Sequence, residues 1–153
     1  MDTVVETLVR DNVALSTERD DQPLPSRQGS WSLRHDPRAA RWARDIARSM
    51  LTCWEVTQDA AEATLLVVSE LVTNAVQHAL PPVTLHLHLE RTGKRILVAV
   101  TDGGPIAGPD TAAVTAADEH GRGLDIVEAL AAARGRDQHI DGAITHWARL
   151  AQA

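Results

Sequence analysis

The 153-residue chain carries 15 lysines and arginines against 21 aspartates and glutamates, which gives a net charge of −6. This length suits one domain around a single core, and an acidic chain without a basic run is a poor partner for nucleic acid or an anionic membrane. No apolar run reaches the roughly 20 residues that span a bilayer, and the first residues lack the basic flank and apolar block of a signal peptide. We therefore expect a cytoplasmic protein with neither of those partners.

The core has to be mainly aliphatic, because the chain has four Trp and no Phe or Tyr. Leu, Val, Ile and Ala are sufficient for a well-packed core. The single cysteine, Cys53, has no partner for an internal disulfide. Its apolar helical context favours a buried, inert thiol.

The N-terminal residues alternate acidic, polar and proline-containing pieces, and they offer too little clustered apolar surface to pack independently. The sequence therefore predicts a mobile arm over residues 1–28, in which residues 4–9 can form a short helical turn. A folded domain is predicted over residues 29–153, opening with a short edge strand near residues 30–34.

A helix over residues 37–52 is predicted by Asp36 and Pro37, an N-cap acceptor followed by a residue whose fixed φ suits the first turn. Its apolar positions can face the core, while its arginines lie elsewhere around the helix. The basic surface that they form is either simply solvated or meets an acidic protein partner, and it consists of Arg38, Arg41, Arg44 and Arg48.

A second amphipathic helix is predicted over residues 62–80, where Pro81 and Pro82 end it. On one face, Glu70, Asn74 and His78 stand one helical turn apart. This column can hold a metal and a phosphate, or it is an ordinary solvated polar face. The core stripe recurs at spacings of three and four and consists of Leu65, Val68, Val72, Ala75, Val76 and Ala79.

Two antiparallel strands are predicted next, joined by a hairpin turn at residues 92–94. Residues 83–90 alternate between apolar and polar, so His86 and His88 share the outward face of a half-buried strand. The pair either binds zinc or is exposed, and exposure is favoured because no cysteine or carboxylate cluster lies nearby. Residues 95–101 read as a central strand that is covered more completely.

Glycines mark two further turns. Asp102 at the end of the central strand is followed by Gly103 and Gly104, which either allow the backbone to turn closely around a ligand or simply form a turn. After a connection over residues 106–120, Gly121 and Gly123 open a helix predicted over residues 124–133, and glycines at a helix start expose free N–H groups to a phosphate. A hairpin of strands near residues 137–140 and 143–150 ends the chain.

Three motifs occur together in one order: SELVTNAVQHA, then VAVTDGGP, then GRGLDIVEALA. In this combination the sequence resembles the GHKL ATP-binding superfamily, and most closely its small stand-alone members, the anti-sigma-factor serine kinases. The resemblance covers about residues 29–150, including ITHWARL as the last strand. It implies a two-layer α/β sandwich of a mixed, mainly antiparallel sheet, with helices on one face and ATP held between helices and sheet.

The resemblance also implies residue roles. By position, Glu70 is the general base, Asn74 is a Mg²⁺ ligand, and Asp102 accepts a hydrogen bond from the adenine amino group. His78 either supports the phosphate region or packs the helix. In the family the motifs VAVTDGGP and GRGLDIVEALA correspond to the first and second glycine boxes. The remaining nucleotide contacts carried over from these boxes are Gly104, Gly121, Arg122, Gly123 and Leu124, of which Arg122 can instead touch a partner or be solvated.

One position departs from the family pattern, since Ile106 stands where the fuller first glycine box has a second glycine. This departure puts in doubt how residues 106–120 close over the nucleotide. We expect ATP and Mg²⁺ as cofactors, and a protein-serine/threonine kinase that phosphorylates an antagonist protein of the anti-anti-sigma type and sequesters a sigma factor. The alternative is an ATP-dependent partner-binding module without kinase activity. Related kinases commonly dimerise, so a homodimer is an open option.

Overall fold

The computed structural model describes residues 27–90, 95–106 and 120–152, and at residues 120–124 it describes the helical backbone alone. The expectations for residues 1–26, for the hairpin turn at residues 92–94 and for the connection at residues 107–119 lie outside these residues.

A five-stranded sheet forms one layer, in the order β1-β2-β3-β5-β4, and its four pairings are all antiparallel. Within the described residues, three helices form the other layer. The two-layer α/β prediction and the predicted β2–β3 hairpin are therefore confirmed, with β1 on one edge of the sheet. The bounds are β1 Gln28–Leu33, α1 Ala39–Cys53, α2 Gln58–His78, β2 Val83–Leu89, β3 Arg95–Asp102, α3 His120–Leu130, β4 Ala133–Gln138 and β5 Ile144–Ala151.

The main core lies between α2 and the face of the sheet that the helices cover. Alternate residues of β2 and β3 point into it, among them Leu85, Leu87, Val98 and Val100, which are fully buried. From α2 the buried set comprises Ala60, Thr64, Val67, Val68, Leu71, Val72 and Ala75. The predicted stripe was partly wrong, because Leu65 and Val76 are only half-buried at the margin of this core.

Both long helices differ from their predicted starts. Helix α2 begins four residues earlier than predicted, because the Thr57 side chain accepts a hydrogen bond from Ala60 N at 3.3 Å and caps it. Helix α1 begins at Ala39, since Asp36 holds a preceding turn in which its carboxylate accepts a hydrogen bond from Arg38 N at 2.8 Å. None of the described helices is long and apolar enough to cross a membrane.

The predicted exposure of His86 and the predicted burial of Cys53 were both wrong. His86 is buried on the sheet face away from the helices, where Ser30 and Thr101 hydrogen-bond its two ring nitrogens. Cys53 is exposed, because it is the last residue of α1 and lies well around the helix from the buried Leu51.

Replacing Leu87 by Ala should destabilise the domain by about 2–5 kcal/mol, because its fully buried side chain would leave a cavity beneath α2. Urea unfolding followed by circular dichroism measures this change. The matched control is Leu66→Ala, which truncates a leucine that is 44% exposed and should cost about 0.5 kcal/mol or less. Equal effects of the two variants would contradict this assignment of the core.

Candidate functional site

Glu70, Asn74 and His78 lie on α2, and all three are half-buried. They span about 12 Å along the helix axis at 1.5 Å per residue. The helix is held in place by its buried face, which adjoins this column, so these side chains project from a fixed support. Helix α2 ends at His78 because Ala79 is extended, with φ −131° and ψ 164°.

The segment after β3 lies antiparallel against the end of α2. Gly103 N donates to Leu80 O at 2.6 Å, Leu80 N donates to Gly104 O at 2.8 Å, and Ile106 N donates to His78 O at 3.3 Å. An isolated bridge between Ala79 and Pro105 completes this contact, which we call the helix–turn seam, residues 78–80 against 103–106. The seam brings two of the motifs predicted from sequence into direct contact.

Glycine is needed at both positions that follow Asp102. A Cβ at Gly103 would overlap the carbonyl oxygen of Pro81, and one at Gly104 would lie 2.6 Å from Gly142 O. Gly104 also has φ +97°, a conformation that side chains disfavour. The sequence predicted a close turn around a ligand, and the close approach in the structure is to the protein's own backbone.

Asp102 is the last residue of β3, and its side chain is buried. Its Oδ1 accepts a hydrogen bond from Gly104 N at 2.8 Å, and its Oδ2 lies 3.7 Å from His146 Nε2. Burial raises the pKa of this carboxyl group, while the Gly104 N–H and the charge of Arg136 act in the opposite direction. The site thus holds a buried acidic group that favours hydrogen-bond donors.

Sequence reasoning missed Arg136 and His146 as neighbours of Asp102. Arg136 and His146 pair across β4 and β5, and His146 lies two residues along β5 from Ile144, the partner of Asp102. The alternation of β5 could have predicted the position of His146, because it places this residue on the same face as Ile144, Ala148 and Leu150. The Asp102 carboxyl group therefore shares its end of the sheet with two basic side chains.

The second glycine box lies inside α3, because the helix begins at His120 instead of residue 124 and ends at Leu130. Gly121, Arg122, Gly123 and Leu124 therefore occupy its first turns, and the first four N–H groups of a helix have no partner within it. The predicted end near residue 133 was wrong, since Ala133 starts β4. Helix α3 packs against α2, with Val127 buried between them.

The chemistry of the donors on α2 fits an oxygen-preferring cation. Glu70 and Asn74 offer a carboxylate and an amide oxygen one turn apart, and Mg²⁺ is commonly bound by one or two such groups together with substrate phosphates. Within the described ranges, no group of three or more His, Cys, Asp or Glu residues could hold a metal by itself. A zinc site on β2 is disfavoured, because both ring nitrogens of His86 are hydrogen-bonded to hydroxyl groups.

Comparison with known proteins gives a family model and structural neighbours. The model of the histidine kinase-like ATPase domain matches residues 33–142. The RsbU and RsbW domains of Rv1364c from Mycobacterium tuberculosis superpose with TM-score 0.63 at 21% identity, over 84% of this chain and 34% of that one, so this chain spans about a third of that structure. The SiaB-SiaC complex from Pseudomonas aeruginosa superposes with TM-score 0.62 at 14% identity, over 97% and 99% of the two chains. No curated protein matches the sequence.

Replacing Asp102 by Asn should leave the domain at least as stable at neutral pH, because the amide can still accept from Gly104 N without the burial penalty of an anion. The raised pKa means that the folded state binds this proton more tightly than the unfolded state. The contribution of Asp102 to the stability of the wild type is thus present below its ordinary pKa of 3.8, and it is lost as pH rises through its pKa in the folded state.

Urea unfolding of both proteins between pH 3 and pH 7 checks this prediction, with the exposed Asp125→Asn as a control for general loss of charge. The stability difference between Asp102→Asn and wild type should grow in favour of the variant as pH rises, and then level off. A difference of the opposite sign would mean that Arg136 and Gly104 outweigh the effect of burial.

Proposed function

Because the chain belongs to the family of histidine kinase-like ATPase domains, we propose that it is a protein-serine/threonine kinase that transfers the γ-phosphoryl group of ATP to a small antagonist protein. The observation that carries the proposal is the position of Glu70, a half-buried carboxylate on α2, one turn from Asn74. The same helix ends in the seam that fixes Asp102. The proposed base, Glu70, and the proposed acceptor for the nucleobase, Asp102, thus lie on two elements that the helix–turn seam joins.

In the proposed site, Asp102 recognises adenine. Its Oδ1 is occupied by Gly104 N–H, which leaves Oδ2 on the side of His146 for an incoming donor. The exocyclic amino group of adenine is such a donor, and a hydrogen bond to a charged acceptor contributes about 1.5–3 kcal/mol. Gly104 donates its N–H to the carboxylate, and its positive φ turns the chain that follows.

The phosphates are assigned to the two helices. The free N–H groups of the first turn of α3, where Gly121 and Gly123 lie, suit phosphate oxygens. Arg122 and Leu124 adjoin this turn, and His78 ends α2 beside the seam. Asn74 supplies an amide oxygen to Mg²⁺, which neutralises phosphate charge when it is bound.

The transfer step needs a base for the incoming hydroxyl group. Glu70 accepts the proton as the serine or threonine oxygen bonds to the γ-phosphorus, and the bond from that phosphorus to the ADP oxygen breaks. The half-buried position of Glu70 keeps it within reach of a partner that docks on the exposed face of α2. Leu66, exposed one turn before Glu70, offers that partner an apolar contact.

The partner assignment is supported by the kinds of protein with which this fold occurs. One structural neighbour carries an RsbW domain in a chain with an RsbU domain, and the other is SiaB in complex with SiaC. We assign to this chain an antagonist protein of the anti-anti-sigma type as phosphate acceptor and a sigma factor as the sequestered partner. A module that binds ATP and exchanges partners without chemistry is the alternative.

Calorimetry with ATP, with and without Mg²⁺, followed by incubation with purified antagonist proteins and intact-mass measurement, tests the proposal. Binding of ATP together with a gain of one phosphate on the antagonist supports the kinase. ATP-dependent binding of the antagonist without any mass change would identify the partner-binding module. Absence of ATP binding by a folded protein would overturn both.

Replacing Glu70 by Gln should retain ATP affinity but lower the rate of phosphoryl transfer by about 10²- to 10⁴-fold, because the amide cannot take up the proton. The measurement is single-turnover transfer to the antagonist protein at saturating ATP. Glu62→Gln makes the same change at an exposed position two turns earlier on α2 and should leave the rate unchanged. Transfer by Glu70→Gln at the native rate would show that Glu70 is not the base.

ATP should bind at least about tenfold more tightly than GTP, since guanine presents a carbonyl oxygen where adenine has its amino group. Two acceptors would then face each other at the buried Asp102, at a cost of about 1–3 kcal/mol. Calorimetric titration of wild type and Asp102→Ala measures this preference. The variant should bind ATP more weakly and discriminate less, and an unchanged preference would remove Asp102 from the base site.

A further inference from the structure

His146 is a basic residue on the side of β5 that packs into the core. Ile144, Ala148 and Leu150 share this side of the strand and are all buried. The His146 side chain is 33% exposed, whereas the Asp102 side chain is 2% exposed, and His146 Nε2 lies 3.7 Å from Asp102 Oδ2. An imidazole that reaches solvent thus stands next to a carboxylate that does not.

The two oxygens of the Asp102 carboxylate have different neighbours. Oδ1 accepts a hydrogen bond from Gly104 N at 2.8 Å, which fixes the orientation of the group. Oδ2 faces His146 Nε2 across 3.7 Å, a distance that is longer than a hydrogen bond. A shift of about 1 Å by the imidazole would bring the two atoms to the separation of roughly 2.7–2.9 Å that is typical of a charge-assisted hydrogen bond. Oδ2 therefore has a donor of the protein's own within reach.

Charged groups near His146 act on it with opposite signs. Helix α2, β3 and β4 pack against β5. Among the described side chains, the ionisable groups on the neighbouring parts of these elements, on the helix side of the sheet, are Asp102, Arg134, Arg136, Glu70 and His78. Arg136 pairs directly with His146 across β4 and β5, and its charge also acts on Asp102. Asp102 therefore favours a proton on His146, and Arg136 opposes it.

Protonation changes what His146 offers to Oδ2. A histidine side chain gains its proton in the range between about pH 8 and pH 5. The neutral imidazole carries one N–H, on either nitrogen, whereas the protonated ring carries an N–H on both. Nε2 of the protonated ring is therefore always a donor, and a charged donor binds a carboxylate about twice as strongly as a neutral one. Protonated His146 is thus a stronger partner for Asp102 than a neutral amino group.

We propose that His146 is a positioning residue for Asp102 and makes the binding of ATP depend on pH. The inference rests on the adenine site proposed above, in which Oδ2 receives the amino group of the base. Below the pH at which His146 gains its proton, the imidazolium closes on Oδ2 and occupies the position of the incoming amino group. Above that pH the ring is neutral, and Oδ2 is open to adenine. The affinity for ATP is thus complete at the alkaline end of the range and is lost as pH falls.

Calorimetric titration with ATP and Mg²⁺ at about pH 8 and about pH 5.5 tests this dependence. His146→Gln keeps a polar side chain but does not titrate. The wild type should lose at least about tenfold more affinity than His146→Gln at the lower pH, because the hydrogen bond from adenine to a charged acceptor is displaced. Protonation of ATP itself cancels in this comparison. The matched control is His88→Gln on the other side of the sheet, which should keep the wild-type profile.

A second measurement uses the wild type alone. If adenine and the imidazolium compete for Oδ2, saturating ATP lowers the pH at which His146 titrates, because coupling between two ligands is reciprocal. NMR of the His146 imidazole with and without ATP measures this midpoint. A decrease of about one pH unit corresponds to the tenfold effect on affinity. This measurement decides the question if His146→Gln fails to fold.

An equal loss of affinity in the wild type and His146→Gln would overturn the inference, as would a His146 titration midpoint that ATP leaves unchanged or raises. In either case ATP still binds, and the proposed function stands. A folded wild type that binds no ATP anywhere in this pH range would instead refute the adenine site itself, and the regulation by His146 with it.

Discussion

The helix–turn seam is the constraint on which the site depends. Backbone hydrogen bonds of 2.6 and 2.8 Å join Leu80 to Gly103 and Gly104, and backbone contacts leave no room for a Cβ at either glycine. His35 adds a hydrogen bond of 2.7 Å to Ala79 O from the segment before α1. The end of α2 and the end of β3 therefore cannot move independently. Any ligand held by Asp102 is positioned relative to Glu70 and Asn74 by this contact.

The face of the sheet that points away from the helices is partly polar. Beside its apolar cluster of Leu97, Ala99 and Trp147, a chain of hydrogen bonds follows this face. It runs from Ser30 through His86, Thr101 and Thr145 to His139. Burial, with a smaller effect from His139, lowers the pKa of His86 to about 4, so its imidazole is neutral at physiological pH. Its contribution to stability is present above the ordinary value of 6.5 and is lost as pH falls towards 4.

Local patterns predicted the parts of the fold that depend on local chemistry. The order of elements, the antiparallel pairing of β2 with β3 and the helix that carries Glu70, Asn74 and His78 follow from periodicity and turn residues, and these predictions were correct. The burial of His86 was not predictable from alternation, because a period of two assigns a residue to a face without telling whether that face is covered. The predicted burial of Cys53 was wrong for a related reason. Apolar neighbours in the sequence do not determine which side of a helix end faces the solvent.

The candidate site likewise combines residues that local patterns predicted with residues that they did not. Motifs and the family resemblance singled out Asp102 and the α2 column, whereas Arg136 and His146 join them through pairing of β4 with β5 at the far end of the chain. Such a meeting depends on register, which no single motif encodes. The roles of the singled-out residues are chemical proposals, and what the structure adds is the contact between their elements.

The two faces of the sheet meet at the end of β3, and this junction bears on how the site works. Thr101 belongs to the polar chain on the face away from the helices, and Asp102, the next residue, lies on the face that the helices cover. On β5, Thr145 and His146 divide in the same way. The hydrogen bonds of Thr101 and Thr145 therefore restrain the backbone from which the Asp102 and His146 side chains project. Because burial makes the Asp102 anion unfavourable, the amino group of adenine would, in the proposed site, relieve that penalty by donating a hydrogen bond to the carboxylate. A carboxylate restrained in this way cannot turn towards water to relieve the same penalty, so the proposed preference for a hydrogen-bond donor depends on the rigidity of the end of β3.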